Sequence, residues 1–531
     1  MKLKFLSPLL TLLLLAPQLM AETPAAESEA VVVIYNQKDP EAKGLADFYC
    51  SVRGINPSHE IALSAPLTEE IERTDYTLSI ATPLREEMAR RGYWEVKCDG
   101  KSPPAIVTSK IRYAVLIRGI PLKIKQTENV PGDSIIQAPP FGSVNAASVD
   151  SEISVLGLFS PQVSGVIDNP LCQKPPFGKE MKQFPPELLM VARLDAPSAK
   201  AVRAMVLNGL AAEKKGLWGW GYIDIRSTTD PGFIAGDQWI SAAGKAMREN
   251  GIPVLCDDLP ETFQNAYPIT DAAAYFGWYS ENIDGPFRDE EFRFLPGAVA
   301  GHLHSFSALT LHDANKGWTG PLIEHGASAS FGNVYEPYLV FTTDFGIFES
   351  QLLKGKNLAE SYFAAQPVFS WMSVLIGDPL YRPYAAFHDS KIGPDTSTDS
   401  IWSDYRGIVL AHRGNVLKAA IDLGDRAQEK KQSLYLEALG AAQVAAGIFP
   451  AAAASFRDAS EIEHDPKIQF RLLLEQARAY ELWGKADRGA SLLRGGLRQF
   501  TQKDQVALLL NWIQRLDPIK LPASSPTPMP K

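Results

Sequence analysis

Apolar positions along this chain alternate between short continuous runs and faces at helical spacing. VVVIYN (31–36) is an apolar, β-branched run of the kind a strand buried on both faces requires. DPEAKGLADFYCSVRG follows it. Asp39 is placed as a cap and Pro40 at the first helical position; Ala42, Leu45, Ala46, Tyr49 and Val52 share one face, and Gly54 closes the helix. IALS near Ile61, RYAVLIRGIPL (112–122) and ELLMVARLD (187–195) read as further strands. The last runs into a helix bounded by Pro197 and Gly216. GWGYIDIRS, IPVLCDD, AAAYFGWYS, GAVAGHLHS and GASASFGNV continue the strand series, with the helix GDQWISAAGKAMRENG between the first two. Strands alternating with helices predict an α/β domain with a mostly parallel sheet flanked by helices.

The pattern changes near residue 389. DSKIGPDTSTDSIWSD (389–404) is polar and turn-rich and reads as a linker, and beyond it Ala, Leu, Glu and Arg dominate at helical periodicity. EALGAAQVAAGIFPAAAASFRDA and LEQARAYELWGKADRGASLLRGG align with Gly447 on Gly484 and Phe456 on Leu493, an internal repeat of 37 residues. Leu439, Gly440, Gly447, Ala452, Phe456 and Ala459 fall at the spacings of the packed positions of tetratricopeptide repeats, which this region resembles. A helical array of that kind exposes a groove for a protein partner; the alternative is a helical cap on the α/β domain.

The first residues, MKLKFLSPLLTLLLLAPQLMA, place Lys2 and Lys4 before a short apolar run that ends in small residues, the order of an export signal cleaved after Ala21. The expected organisation is therefore a leader at 1–21, an α/β domain at 22–388, the linker at 389–404, helical repeats at 405–516 and a proline-rich tail at 517–531. The product is periplasmic or secreted and has no membrane span. Lys and Arg number 52 against 61 Asp and Glu, a net charge of −9 that becomes −11 when the two leader lysines are removed, which argues against a nucleic-acid partner. Without GxGxxG or a Walker loop, no nucleotide cofactor is expected. The four cysteines are too far apart for a zinc knuckle; in an exported chain Cys50 with Cys98 and Cys172 with Cys256 are the expected disulfides.

The segment AGHLHSFSA (300–308) carries the most chemistry. On a strand, His302 and His304 would share a face near its carboxyl end, where open α/β sheets bind ligands. Either histidine is a candidate base for Ser305 or Ser307, with Asp257, Asp258 or Glu336 as orienting acid by position alone. HxH with Asp257, Asp258 or His325 is equally a candidate zinc set, and hydrogen bonds that fix the strand end are the structural alternative. Trp278, Tyr279 and Asn282 in GWYSENIDGPF, and Asn333, Glu336 and Tyr338 in ASFGNVYEPYL, suit a peptide or glycan ligand. In GDPLYRPY, Arg382 is expected to pair with a local acid, and the acids of CDDLPET are expected to be solvated strand ends.

YFGWYSENIDGPF (275–287), GHLHSFSALTL (301–311), WTGPLIEHGASASFGNVYEPYL (318–339) and SWMSVLIGDPLYRPY (370–384) together resemble an uncharacterised family of exported bacterial proteins found in genomes carrying the exosortase sorting system. That resemblance spans roughly residues 30 to 385 and implies export and a link to sorted proteins or extracellular polysaccharide. A more distant similarity is to caspase-like peptidases of the gingipain type, which carry a His after one strand and a Cys after the next. AAYFGWYS would be the histidine strand and AVAGHLHSFS the cysteine strand; the first has no His and the second no Cys. The resemblance therefore implies a peptidase-like domain without its dyad, and a serine or metal-assisted hydrolase through HLHSFS is the rival expectation.

Overall fold

The computed structural model describes residues 27–98, 100, 103–127, 145–159, 165–174, 184–388, 401–412 and 415–518. The leader at 1–21, residues 389–400 of the linker and most of the tail lie outside them.

Ten strands form one sheet: β1 (Val31–Asn36), β2 (Glu60–Leu63), β3 (Tyr113–Ile117), β4 (Met190–Leu194), β5 (Trp220–Asp224), β6 (Val254–Asp257), β7 (Ala272–Gly277), β8 (Val299–His302), β9 (Ala329–Asn333) and β10 (Ser373–Gly377). The first nine are the runs that the apolar pattern predicts, and β3, β4, β5, β7 and β9 are buried at every residue, as strands covered on both faces must be. The spatial order is β6-β5-β7-β8-β9-β10-β4-β3-β1-β2. Every neighbouring pair is parallel except β9 with β10. That single antiparallel junction divides the sheet into two five-stranded parallel halves whose carboxyl ends lie on opposite edges.

Helices α1 (Ala42–Arg53), α2 (Val149–Ser154), α3 (Ala199–Lys215), α4 (Ile234–Glu249), α5 (Thr319–Glu324), α6 (Phe345–Leu353) and α7 (Leu358–Ala365) accompany the sheet. α1 buries Ala42, Leu45, Ala46 and Tyr49, the predicted face. It starts at Ala42 and not at Pro40, because the Asp39 carboxylate accepts the Glu41 N–H at 2.8 Å and holds a turn there. Ser198 caps α3 by accepting the Ala201 N–H.

The expected disulfides are absent: Cys50, Cys98, Cys172 and Cys256 are all free thiols. Cys50 lies in the core on one face of the first half, whereas the hairpin preceding Cys98 contributes Trp94 to the core on the other face. Cys172 adjoins Gln173, whose N–H donates to Ala364 at the end of α7, while Cys256 sits on the far edge strand β6. Burial pushes the Cys50 thiol up to about 12, so it is held as the unreactive thiol.

Seven helices follow: α8 (Ile401–Ala411), α9 (Val416–Lys430), α10 (Leu434–Ala445), α11 (Phe449–Ile462), α12 (Pro466–Leu482), α13 (Ala486–Gly496) and α14 (Lys503–Leu516). The helical region thus begins at Ile401, inside the stretch expected to be linker, because Trp402 packs edge-on against Trp220 at 5.6 Å and Tyr405 is buried. The 37-residue repeat has a geometric counterpart. Gly447 and Gly484 end the first helix of successive pairs with φ of 73° and 74°, a conformation that favours glycine. Gly440 lets α10 meet Phe456, whose ring lies 2.7 Å from where a Cβ would stand.

One face of this array is closed by the chain itself. Arg471 on α12 is 1% exposed and makes a two-pronged ion pair with Glu437 of α10 at 2.6 and 2.9 Å. The same guanidinium donates to the Pro268 carbonyl, the Thr270 hydroxyl and the Tyr222 hydroxyl at 3.1, 2.7 and 3.2 Å, which fastens the helices to the edge of the sheet. Tyr267 donates to Glu475 at 2.6 Å, and Arg478 pairs with Asp258. Asp258 of CDDLPET is therefore an interdomain contact and not a solvated strand end, while Asp257 accepts the Leu259 N–H at 3.0 Å. Arg382, expected to pair locally, reaches Glu27 at 2.8 Å, far away in sequence.

Candidate functional site

In the second half of the sheet the chain adds β6 on one side of β5 and then β7 on the other. The order reverses there, and such a reversal opens a crevice at the carboxyl ends of the strands. Register places Asp257, Asp224, Gly277 and His302 side by side across β6, β5, β7 and β8. The residues that follow these positions make up the site.

His302 is 2% exposed, with its ring stacked on Trp318 at 3.6 Å and an interplanar angle of 6°. Its Nε2 accepts the Ser280 N–H at 3.1 Å, which assigns the ring proton to Nδ1, and Nδ1 in turn lies 3.0 Å from the Tyr275 hydroxyl. Both nitrogens are occupied, and burial holds the imidazole well below the usual histidine range, so it stays neutral. His302 is a fixed structural group. The same internal chain reaches Asp224, whose carboxyl lies 3.5 Å from the Tyr275 hydroxyl and is pushed well above the usual carboxylate range, first by burial and then by Asp257.

β8 ends at His302, so His304 lies in the following turn and the two histidines do not share a strand face. The His304 Nδ1 contacts the Ser305 carbonyl, and its ring lies against Tyr279 at 4.4 Å. Ser305 donates its hydroxyl to Glu336 at 2.6 Å. Ser307 is fully buried, and its Oγ accepts the Asn333 N–H at 3.1 Å. Among the described residues neither serine hydroxyl hydrogen-bonds to a histidine ring, so the expected nucleophile and base are not assembled. The zinc alternative fares no better. His325 bonds the Phe292 carbonyl, Asp258 is paired with Arg478, and no group of three ligating side chains occurs among the described residues. A fluorophosphonate probe is therefore expected to leave the purified protein unlabelled; labelling that disappears in Ser305→Ala would restore the serine nucleophile.

The six expected ligand residues divide by exposure. Trp278 is 1% exposed and donates its indole N–H to Asp237 at 2.7 Å. Asn333 is buried, accepting from Ser373 and donating to the His304 carbonyl. Asn282 accepts the Gly317 N–H at 2.9 Å, so its carbonyl supports the loop. Tyr279, 40% exposed, Asn282 and Glu336 lie at the surface. Tyr338 and Glu336 border a hollow of about 490 Å³ with Phe306, Tyr335 and Met372.

Sequence reasoning passed over Arg226. Placed just beyond β5, its guanidinium stands 5.3 Å from the Tyr279 ring centre and 6.0 Å from that of Trp278. Its position at the end of a predicted strand, IDIRS, was the available signal. Arg226, Tyr279 and His304 thus form a short stack of cation, phenol and imidazole, drawn from the loops after three neighbouring strands and flanked by the Ser305–Glu336 pair.

No protein-family model, curated protein or solved structure matches the chain. The chemistry of the site follows from its own geometry, and no helix among the described residues is long and apolar enough to cross a membrane.

Proposed function

We propose that this chain is an exported peptide-binding protein, built on a caspase-like α/β frame that lacks the Cys/His dyad and joined to tetratricopeptide-like helices. The observation that carries the reading is the Arg226–Tyr279–His304 stack at the crevice between β5 and β7. Support for the frame comes from β7 and β8, the strands that would bear histidine and cysteine in an active peptidase. They are adjacent and parallel, with Gly277 and His302 in register. Where a dyad would work there is a glycine beside an imidazole with no free nitrogen, so recognition is retained without the chemistry of cleavage.

A peptide is favoured over a glycan because Asn333 is buried against Ser373 and the exposed Asn282 keeps its side-chain carbonyl on the Gly317 amide. What faces outward is charged and aromatic: Arg226 for a carboxylate, Tyr279 for an apolar or ring-bearing side chain, Glu336 for a cation. The link to exosortase-dependent sorting belongs to the same proposal, since a sorted protein presents an extended peptide to be bound.

The test is capture from a positional-scanning library of acetylated tetrapeptides by the purified chain. Intact peptides should be retained, with an acidic residue enriched at one position. Tyr279→Ala should abolish retention and Arg226→Gln should remove the acidic preference, while Ser305→Ala leaves both unchanged. Retention of nothing by the parent, or of the same peptides by Tyr279→Ala, overturns the reading.

A further inference from the structure

Away from that crevice, the edge strand β6 and the helices that cover it enclose a second cavity, of about 620 Å³. Its apolar walls come from four places. Ile252 and Val254 belong to the edge strand and the turn before it, Val409 and Leu410 to α8, Leu423 to α9 and Leu439 to α10. Ala438 and Ala442 on α10 are too small to fill the space between them, and the exposed Ala445 and Ala446 mark its mouth. The volume falls in the range of roughly 300 to 1,000 Å³ typical of small-molecule sites, and the lining is apolar, as such sites are.

The mostly apolar wall is broken by Arg248, Glu249, Asn250, His412 and Asn415. Arg248, in the last turn of α4, lines the cavity and is half-buried. Among the described residues no carboxylate lies within ion-pair distance of it and no acceptor takes its hydrogen bonds, because the neighbouring Glu249 turns to Lys245 at 3.8 Å. Of the other titratable groups of the lining, Glu249 faces Lys245, Tyr405 is buried, and His412 is paired with Asp422 at 2.7 Å. A guanidinium partly withdrawn from water without a counter-charge is costly, and burial lowers its pKa accordingly.

We infer that this cavity is a binding site for a long-chain carboxylate, with the hydrocarbon chain between β6 and α10 and the carboxylate on Arg248. An apolar body fits the walls, and a single anionic head supplies the partner that Arg248 lacks. A neutral lipid would leave the cation uncompensated, and a polar ligand would leave Val409, Leu423 and Leu439 without contacts.

The experiment is isothermal titration of hexadecanoate into the full chain stripped of lipid, in parallel with hexadecan-1-ol. The parent should take up one equivalent of hexadecanoate. Arg248→Met should weaken hexadecanoate by about tenfold or more, the loss of one charge-assisted hydrogen bond, and leave the alcohol unchanged. Ala442→Phe, which fills the cavity, should block both ligands with the circular dichroism spectrum retained. Arg248→Met carries the test if Ala442→Phe does not fold, since the Arg248 head group has no partner to lose. No uptake of hexadecanoate by the parent, or equal affinity for it in parent and Arg248→Met, overturns the assignment.

Discussion

Arg471→Met is expected to destabilise the chain by about 3–5 kcal/mol, the range for removing one partner of a buried ion pair. The substitution leaves Glu437, 1% exposed, as a buried carboxylate without its cation, and at the same time leaves the Pro268 carbonyl and the Thr270 hydroxyl without their donor. All of these lie where α10 and α12 meet the edge of the sheet, so the loss concerns the join between the two regions more than either core. Urea titration followed by tryptophan fluorescence reads it directly, because Trp220 lies 5.6 Å from the Arg471 guanidinium. Two transitions should replace one as the helices detach before the sheet unfolds. Arg471→Met combined with Glu437→Leu should recover much of the loss, since the double variant removes the stranded charge. A loss below about 1 kcal/mol, the range of exposed pairs, would show that the helices are held by their apolar contacts alone.

That join was not legible in the sequence, and the reason is physical. Arg471 and Glu437 look like ordinary members of a charged helix, and only their position beneath Pro268 and Thr270 makes them interior residues. The local elements were legible. Apolar β-branched runs such as VVVIYN and YAVLI can be satisfied only in a covered sheet, and the repeated glycines, Gly447 and Gly484, mark real helix ends. Strand direction was not, because the antiparallel entry of β10 beside β9 depends on how α6 and α7 route the chain, and no periodicity records that. The candidate site divides in the same way. AGHLHSFSA correctly gave the strand end, yet the spacing of His302 and His304 suggested a ligand pair, whereas Trp318 and the Ser280 amide fix His302 as structure. Tyr279 and Glu336, singled out by residue type, lie exposed near that strand end, and Arg226 beside Tyr279 was not singled out because one arginine after a strand carries no motif.

The second large effect depends on pH. Glu349→Gln should leave stability little changed below pH 4.5 and raise it above pH 7, by about 3 kcal/mol at full effect. Glu349 lies on α6 with no exposed surface. Its Oε1 accepts the Tyr384 hydroxyl at 2.7 Å, and its Oε2 has no partner. Burial pushes the carboxyl from 4.5 up to about 7. A folded-state pKa raised above the unfolded value means that the folded chain binds more protons over this window. The associated stability is therefore present in full below 4.5 and is lost as pH rises through 7. Glutamine resembles the protonated carboxyl in shape and charge and keeps an oxygen for Tyr384, so the variant never has to bury a carboxylate. His302 acts in the opposite direction: its folded pKa lies well below 6.5, so the stability tied to it is present above 6.5 and falls as the unfolded chain takes up a proton below that value. The parent should therefore be most stable between these limits. Urea titrations below pH 4.5 and above pH 7 separate the two groups, because Glu349→Gln removes only the loss that accrues between those values. An equal stability difference between parent and variant below pH 4.5 and above pH 7 would mean that water reaches Glu349 in the folded chain and that α6 does not seal it.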